Sequence, residues 1–316
     1  MATVTAAAAR LHVHGEPLVV EQVELEPGAD EVLVELEYGG VNPIDRYLAL
    51  GRVAPDSPLP RTLGGEGAGR IDGRAVLICG EGLGSMRDGV WSSVASVPRG
   101  AVIELPDGVH TREAAAMGVA GLTAWNCVHE VAGVQPGDRV LVLGAAGGVG
   151  SMIVSLVASS GATVWGQTGS PSKTGLIERV GAARAIVADA TQLGAQLAEL
   201  QPTVVFDPLG GEFIRPVVEA AAVRARIVSF GTSAGAEVAF NLQTLYRKSA
   251  SISGYGGMQL GRAERRTGLE QALRALADGL LRVEIDEALP LAQVNEAFAR
   301  IERRQVSGNL LLDLRQ

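Results

Sequence analysis

Cysteine, histidine and aromatic residues are scarce in this chain of 316 residues. Its two cysteines, Cys79 and Cys127, form no Cys-x-x-Cys pair, which excludes a structural zinc lobe and argues against a disulfide framework. The four histidines also lack the spacing of metal ligands. We therefore predict a protein without a metal site.

Positive charge is in short supply as well, since 27 lysines and arginines face 35 acidic residues and the net charge is -8. A surface for nucleic acid or for an anionic membrane needs a basic field, so we expect neither partner. No apolar run approaches the ~20 residues that span a bilayer, and the first residues lack the features of a signal peptide. These observations predict a cytoplasmic enzyme.

Glycine, by contrast, is abundant, and it is concentrated in a turn that follows the apolar run Val140–Leu143. The turn reads Ala145-x-Gly147-x-x-Gly150, with alanine in place of the first glycine of the usual fingerprint. A strand that enters a helix through such a turn presents backbone N–H groups and the positive helix end to a phosphate. The pattern predicts a dinucleotide-binding unit in the middle of the chain.

Two other glycine-rich phosphate binders do not fit. A P-loop needs a lysine followed by serine or threonine at the helix start, and none stands between Val149 and Met152. A short-chain dehydrogenase needs a tyrosine with a lysine four residues on. The residues at that distance from the four tyrosines are Asn42, Gly51, Ala250 and Gln259.

The pattern of predicted secondary structure changes near residue 115. Up to that point, short alternating segments such as Val32–Tyr38 and frequent glycine and proline indicate strands and turns. Beyond it, strand-like and helix-like segments alternate at the spacing of βαβ units. We predict an α/β protein with a Rossmann doubly wound parallel sheet in residues 118–257. A β-rich substrate domain comprises residues 1–117 and is completed by 258–316.

The strands predicted for the parallel sheet are short and apolar, as in a sheet covered on both faces. They are Val140–Leu143, Thr163–Gly166, Ala185–Val187, Thr203–Phe206, Arg226–Phe230 and Ser251–Ser253. The helices predicted between them lie near 151–160, 172–180, 191–200 and 212–222. Two stripes at helical spacing follow in the tail, and both are predicted to face a core: Leu269, Leu273, Leu276 and Leu280, then Val294, Ala297, Phe298 and Ile301.

The end of the second strand indicates which cofactor the unit binds. Enzymes that use NAD usually place a carboxylate there, about 20 residues past the first glycine, and the segment 163–173 contains none. Hydroxyl groups and a cation favour a 2′-phosphate through charge-assisted hydrogen bonds. Such groups are supplied by Thr168, Ser170, Ser172 and Lys173. Since the chain has only two lysines, we read this set as specific for NADPH.

Taken together, several motifs resemble the medium-chain dehydrogenase/reductase superfamily, and specifically its zinc-free quinone oxidoreductase branch. The resemblance covers almost the whole chain. The motifs that resemble those of the branch are Asn42-Pro-Ile-Asp45, Leu63–Gly69, Gly121–Trp125, Gly144–Gly150, Val204–Gly211, Ser229–Ser233 and Arg304–Gly308.

The resemblance implies a GroES-like substrate domain, a homodimer and a reductase that transfers a hydride from NADPH. It places Asn42 and Thr123 near the nicotinamide and Tyr47 as a proton donor or pocket wall. Asp45 is expected to cap a helix. The remaining cofactor contacts that it implies are the loop residues Ala145, Gly147, Gly148 and Val149, then Ser229, Phe230 and Gly231, and finally Tyr246, with its neighbours Arg247 and Lys248, and Asn309.

Three departures from related sequences matter. The positions that hold catalytic zinc in zinc-dependent relatives match a site near Pro43 and Gly65, neither of which can bind zinc. The segment Arg70–Val76 is shorter than in most relatives, so part of the usual loop and strand is missing. Asn309 stands where relatives usually have lysine.

These observations leave three hypotheses for the function. The first is an NADPH-dependent reductase of quinones or related electron-poor acceptors. The second is an enoyl or enone reductase that acts on an α,β-unsaturated carbonyl compound or thioester. The third is a nucleotide-binding protein without significant turnover.

Overall fold

The computed structural model describes residues 3–315, which form two compact units. The first unit runs to Leu122 and also contains Gly261–Ala277 and the residues from Ile285 onward. The second unit contains Thr123–Leu260 and Asp278–Glu284. The predicted division differs from this one mainly at 278–284, which the sequence assigned to the substrate domain.

The first 115 residues are indeed β-rich. Their strands are β1 (Val4–Leu11), β2 (Val19–Leu25), β3 (Glu31–Val41), β4 (Arg61–Thr62), β5 (Glu66–Ile71), β6 (Arg74–Cys79), β7 (Val94–Pro98) and β8 (Val102–Glu104). Two short helices accompany them, α1 (Pro43–Ala49) and α2 (Thr111–Ala114). Two π-helical turns, Met117–Gly121 and Cys127–Val131, flank helix α3 (Leu122–Asn126).

Alternating strands and helices follow. The strands are β9 (Arg139–Val142), β10 (Thr163–Thr168), β11 (Arg184–Val187), β12 (Val204–Asp207), β13 (Arg226–Ser229) and β14 (Ser251–Gly254). The helices are α4 (Gly148–Ser159), α5 (Thr174–Arg179), α6 (Ala190–Leu197), α7 (Ile214–Ala220) and α8 (Leu242–Arg247). The chain ends with α9 (Arg262–Ala277), β15 (Ile285–Pro290), α10 (Val294–Glu302) and β16 (Asn309–Asp313).

The second unit is built on a six-stranded parallel sheet in the order β11-β10-β9-β12-β13-β14. This order has a topological switch point at β9, where the chain first enters the sheet, and ligands bind at such points. All six predicted strands are present, and the predicted doubly wound fold is confirmed. Its core contains Leu141, Val205 and Ile227 from the sheet and Val217 from α7, all almost fully buried.

The first unit has one seven-stranded sheet, in which β15-β16-β3-β5-β6-β8 are neighbours and β7 pairs with β3. A second sheet of three strands has the order β2-β1-β4. Trp91 is fully buried in the core of this unit, and its ring lies 5.6 Å from that of Phe298 on α10. Because β16 pairs with β3, the last strand of the chain belongs to the same sheet as β3.

The observed bounds of several helices differ from the predicted ones, and α6, for example, ends at Leu197 rather than near residue 200. Helix α4 begins at Gly148, three residues earlier than predicted, because glycine is tolerated in a first turn whose N–H groups have no helical partner in any case. The prediction that the apolar stripe from Leu269 continues to Leu280 was wrong at its C-terminal end. Helix α9 stops at Ala277, and Leu280 is 46% exposed. Leu269 and Leu273 are buried as expected.

Candidate active site

The glycine-rich loop is held in place by the end of the neighbouring strand. Gly144 has a φ of 58°, a left-handed conformation that favours glycine. Its N–H donates to Oε1 of Gln167 at 3.0 Å, and the N–H of Ala145 donates to the backbone oxygen of the same residue at 2.9 Å. A Cβ on Gly150 would collide with the backbone of Gly144 and Ala145. These contacts hold the loop in a compact conformation.

The helix that follows provides a cradle for an anion. Gly147 is the residue before its first turn, and Gly148 and Val149 belong to that turn. The first N–H groups of a helix have no partner within it, and they mark its positive end. No acidic residue lies in this turn. The predicted residues Ala145, Gly147, Gly148 and Val149 thus form one backbone surface that fits a pyrophosphate.

Gln167 was not among the residues predicted for the site, although it contacts the glycine-rich loop directly. Its side chain is almost fully buried, accepts from Gly144 and donates through Nε2 to the backbone oxygen of Ala188 at 2.6 Å. It therefore connects the glycine loop with the end of β11. The sequence did contain a signal, an amide side chain within a short strand of a sheet expected to be covered on both faces, because a buried polar group needs partners.

The predicted 2′-phosphate set lies in one turn after β10. Thr168 ends the strand, and its Oγ1 accepts from the backbone N–H of Ser170 at 3.2 Å. The hydroxyl oxygens of Ser170 and Ser172 lie 2.8 Å apart. Lys173 closes the single 3-10 turn Pro171–Lys173 and is partly exposed. The structure thus gathers three hydroxyl groups and one cation at the end of a strand.

Residues at the end of α8 were expected near the adenosine phosphate, and the structure gives different outcomes for Tyr246 and Lys248. Tyr246 is 62% exposed, and it is available for a ligand. The expectation for Lys248 was wrong. Its Nζ donates to the backbone oxygens of Val218, Glu219 and Ala221, at 3.2, 2.5 and 2.7 Å. Lys248 therefore caps the C-terminal end of α7, where unpaired carbonyl groups favour a cation.

The segment after β13 is shaped by close backbone contact. The N–H of Phe230 donates to the backbone oxygen of Asp207 at 3.0 Å, which continues the ladder past Ser229. A Cβ on Gly231 would lie 2.7 Å from the backbone oxygen of Pro208. Ser229, Phe230 and Gly231 are all partly exposed at the carboxyl edge of the sheet, where the family resemblance expects the cofactor.

In the first unit, Asn42 is held at two points. Its backbone N–H donates to Oδ2 of Asp45 at 2.8 Å, which confirms that Asp45 caps helix α1. Its side-chain Nδ2 donates to Oε1 of Glu66 at 2.5 Å. The other carboxyl oxygen of Glu66 accepts from the N–H of Val119 at 2.8 Å. The orientation of the Asn42 amide is therefore fixed by Glu66.

Two glycines make room for the Glu66 carboxyl group. A Cβ on Gly40 would collide with Oε1, and a Cβ on Gly118 would lie 2.8 Å from Oε2. Glu66 is only 1% exposed, and burial raises its pKa to about 8 although Asn42 and Val119 donate to it. Burial likewise raises the pKa of Asp45 to about 7. Two buried acids thus flank Asn42, and burial raises the pKa of both.

Tyr47 lies on the exposed side of α1. It is 37% exposed, and its hydroxyl group has no hydrogen bond to any residue between 3 and 315. The last two predicted site residues lie elsewhere. Asn309 is the first residue of β16 and is buried. Thr123 lies in α3 and is partly exposed.

Within the described part of the chain, no three histidine, cysteine, aspartate or glutamate residues are placed to hold a metal ion. None of the helices described has the length and apolar character needed to cross a membrane.

Comparison with known proteins gives a consistent result. Residues 148–277 match the zinc-binding dehydrogenase domain family. Quinone oxidoreductase 1 of Escherichia coli (strain K12) is 28% identical over an alignment that covers 95% of this chain and 97% of that protein. Prostaglandin reductase-3 of Bos taurus is 29% identical, with 82% of this chain and 73% of that protein covered.

The same likeness is seen in three dimensions. The crystal structure of Escherichia coli quinone oxidoreductase complexed with NADPH superposes with a TM-score of 0.82. The two sequences are 28% identical, and the superposition covers 99% of this chain and 100% of the other. The structural similarity therefore extends over both units of the chain.

Proposed function

Because this chain belongs to the quinone oxidoreductase branch of the medium-chain dehydrogenase/reductase superfamily, we propose that it is an NADPH-dependent reductase of quinones or related electron-poor acceptors. The observation that most supports this proposal is the pairing of the glycine-loop cradle with the turn of hydroxyl groups and lysine after β10. The cradle fits a pyrophosphate, and the turn fits a 2′-phosphate.

NADPH supplies the hydride for this reaction, so the protein contributes binding, orientation and proton placement. The fixed amide of Asn42 presents one defined edge to a ligand, because Nδ2 is already committed to Glu66. The exposed hydroxyl group of Tyr47 is free to donate to an oxygen that gains charge during the reduction. No zinc ion is required in this scheme, since the positions expected to match zinc ligands, one near Pro43 and one at Gly65, offer no cysteine or histidine.

The reaction is tested by offering NADPH with 9,10-phenanthrenequinone, 1,4-benzoquinone and a crotonyl thioester in parallel. We expect NADPH oxidation with at least one quinone, unchanged after treatment with a chelator. Turnover of the thioester alone would establish the second candidate, reduction of a carbon–carbon double bond. That candidate is favoured by the likeness to prostaglandin reductase-3. Tight NADPH binding without oxidation by any acceptor would establish a nucleotide-binding protein instead.

We also propose a homodimer that forms through β14. All four residues of this edge strand are exposed, and Ile252 is among them at 38%. An exposed, uncharged edge strand needs a partner or a cover.

The two cysteines are free and buried, and burial raises the pKa of the Cys79 thiol to about 12. Unreactive free thiols fit the reducing cytoplasm, which is the compartment that we propose.

A further inference from the structure

The first unit contains a groove of about 550 Å³, which we call the hairpin groove. It is bordered by the hairpin of β5 and β6, by β8 and by helix α9. Its floor is apolar, and its side chains are Ile71, Val76, Ile103 and Leu273. A volume of this size lies within the range of small-molecule sites, about 300–1,000 Å³.

The hairpin that borders the groove is short. Strand β5 ends at Ile71 and β6 begins at Arg74, so only Asp72 and Gly73 form the turn. Both turn residues have positive φ, 49° and 78°, as the tight two-residue turns of hairpins require. Ile71 is partly exposed, and Val76 on the opposite strand is buried.

The rim of the groove is positively charged, in a chain whose net charge is -8. Four arginines line it, against the two acids Glu104 and Glu270. Arg74 pairs with Glu104 at 2.8 Å, and Arg266 pairs with Glu270 at 3.0 Å. The side chains of Arg99 and Arg274 have no hydrogen bond or ion pair with any residue in the range 3–315. Two cations thus remain available beside an apolar floor.

We propose that the hairpin groove binds a small amphipathic anion, with an aliphatic chain on the apolar floor and an anionic head at Arg99 and Arg274. The head is a carboxylate or a phosphate, since both pair with guanidinium groups. The groove is separate from the cluster around Asn42. Glu66 begins strand β5 and Ile71 ends it, so about 16 Å of extended strand lies between them at a rise of ~3.3 Å per residue.

The test measures binding of defined probes to the full-length protein by calorimetry, with and without NADPH. The probes are octanoate, decanoate and dodecanoate, with decyl phosphate as the alternative head group and decanol as the uncharged control. We expect saturable binding of one decanoate per chain. Affinity should rise about two- to fourfold per added methylene and fall with salt. The ratio of decanoate to decyl phosphate affinity identifies the preferred head group.

Two double variants separate the site from a general effect of charge. In R99A/R274A, decanoate affinity should fall at least tenfold. In R112A/R303A, which removes two other exposed arginines of the same unit, it should change less than twofold. The absence of saturable binding, equal loss in both variants, or decanol binding as tightly as decanoate would each overturn the proposal. The result does not depend on whether the protein reduces quinones.

Discussion

Nδ2 of Asn42 donates a hydrogen bond of 2.5 Å to Oε1 of the buried Glu66. The second carboxyl oxygen of Glu66 accepts from the N–H of Val119. Both oxygens are therefore used as acceptors, and the amide of Asn42 has one preferred orientation. Since Asn42 is expected beside the nicotinamide, we expect Glu66 to act on the proposed reaction through the position of Asn42.

Replacing Glu66 with glutamine tests this relationship. The NH2 group of glutamine cannot accept a hydrogen bond, so it must face either the Asn42 amide or the N–H of Val119. We expect E66Q to lower kcat for NADPH oxidation about tenfold or more, with a smaller change in KM for NADPH, whose phosphates are bound elsewhere. Thermal unfolding should show a loss of about 1–3 kcal/mol in stability.

The matched control is E16Q, because Glu16 is exposed and has no hydrogen bond or ion pair through its side chain among residues 3–315. It should leave kcat and Tm unchanged. The double variant E66Q/N42D exchanges donor and acceptor between the two positions. It should regain stability without regaining kcat, because the edge of residue 42 that faces a ligand is altered. Recovery of both would mean that Glu66 is merely structural.

The stability of the protein should fall as the pH rises from about 5 to about 8. Burial raises the folded-state pKa of Asp45 to about 7 and that of Glu66 to about 8, whereas the unfolded carboxyl groups titrate near pH 4. The folded state therefore retains protons that the unfolded state releases. Stability from each group is complete below pH ~4 and is lost as the pH rises through its folded pKa, by at most ~1.4 kcal/mol per pH unit.

Urea unfolding at pH 5, 6, 7 and 8 measures this slope. Carboxyl groups with a lowered pKa, such as Asp138 and Asp313, act in the opposite sense but only below about pH 5. The E66Q variant should flatten the slope, since one titrating group is removed. A wild-type stability that rises between pH 5 and pH 8 would contradict the protonation of these two acids.

The parallel sheet and the cofactor loop could be predicted from the sequence because both depend on local patterns. Short apolar segments give the six strands, and Ala145-x-Gly147-x-x-Gly150 marks the turn before α4. The beginning of α4 was placed late, since glycines in a first turn weaken helical propensity there, and tertiary packing overrides that preference. Leu280 was misplaced because a helical stripe does not show where the helix ends.

Pairings between distant segments could not be predicted. Glu66 accepts a hydrogen bond from Val119, which lies 53 residues away in the sequence. Gln167 accepts one from Gly144, which lies 23 residues away. A single buried polar side chain in a sequence shows that partners must exist, but not which ones. Lys248 gave a misleading signal for the same reason. A lysine that binds phosphate and a lysine that caps a helix look alike until the end of α7 is seen beside it.

Removing the amide of Gln167 should weaken cofactor binding. Q167M keeps a similar volume but leaves the N–H of Gly144 and the backbone oxygen of Ala188 without their partner. Each buried group that loses its hydrogen bond costs about 1–3 kcal/mol. We expect a lower Tm and a KM for NADPH that rises about tenfold, with kcat less affected. The control Q192M changes an exposed glutamine on α6, and its KM for NADPH should stay unchanged.

The two lysines of the chain allow cofactor recognition to be separated from stability. Lys173 lies in the turn with Ser170 and Ser172, whereas Lys248 caps α7. A charge-assisted hydrogen bond contributes about 1.5–3 kcal/mol. K173A should therefore weaken NADPH binding at least tenfold and leave NADH binding unchanged, as measured by fluorescence titration.

K248A should have the opposite profile. It removes the cation from three carbonyl oxygens, so Tm should fall while the ratio of NADPH to NADH affinity stays at the wild-type value. The comparison is direct because each variant removes one lysine side chain and one positive charge. If K173A left the ratio unchanged, the hydroxyl groups and lysine after β10 would not recognise a 2′-phosphate. If K248A lowered it, α8 would take part in cofactor recognition after all.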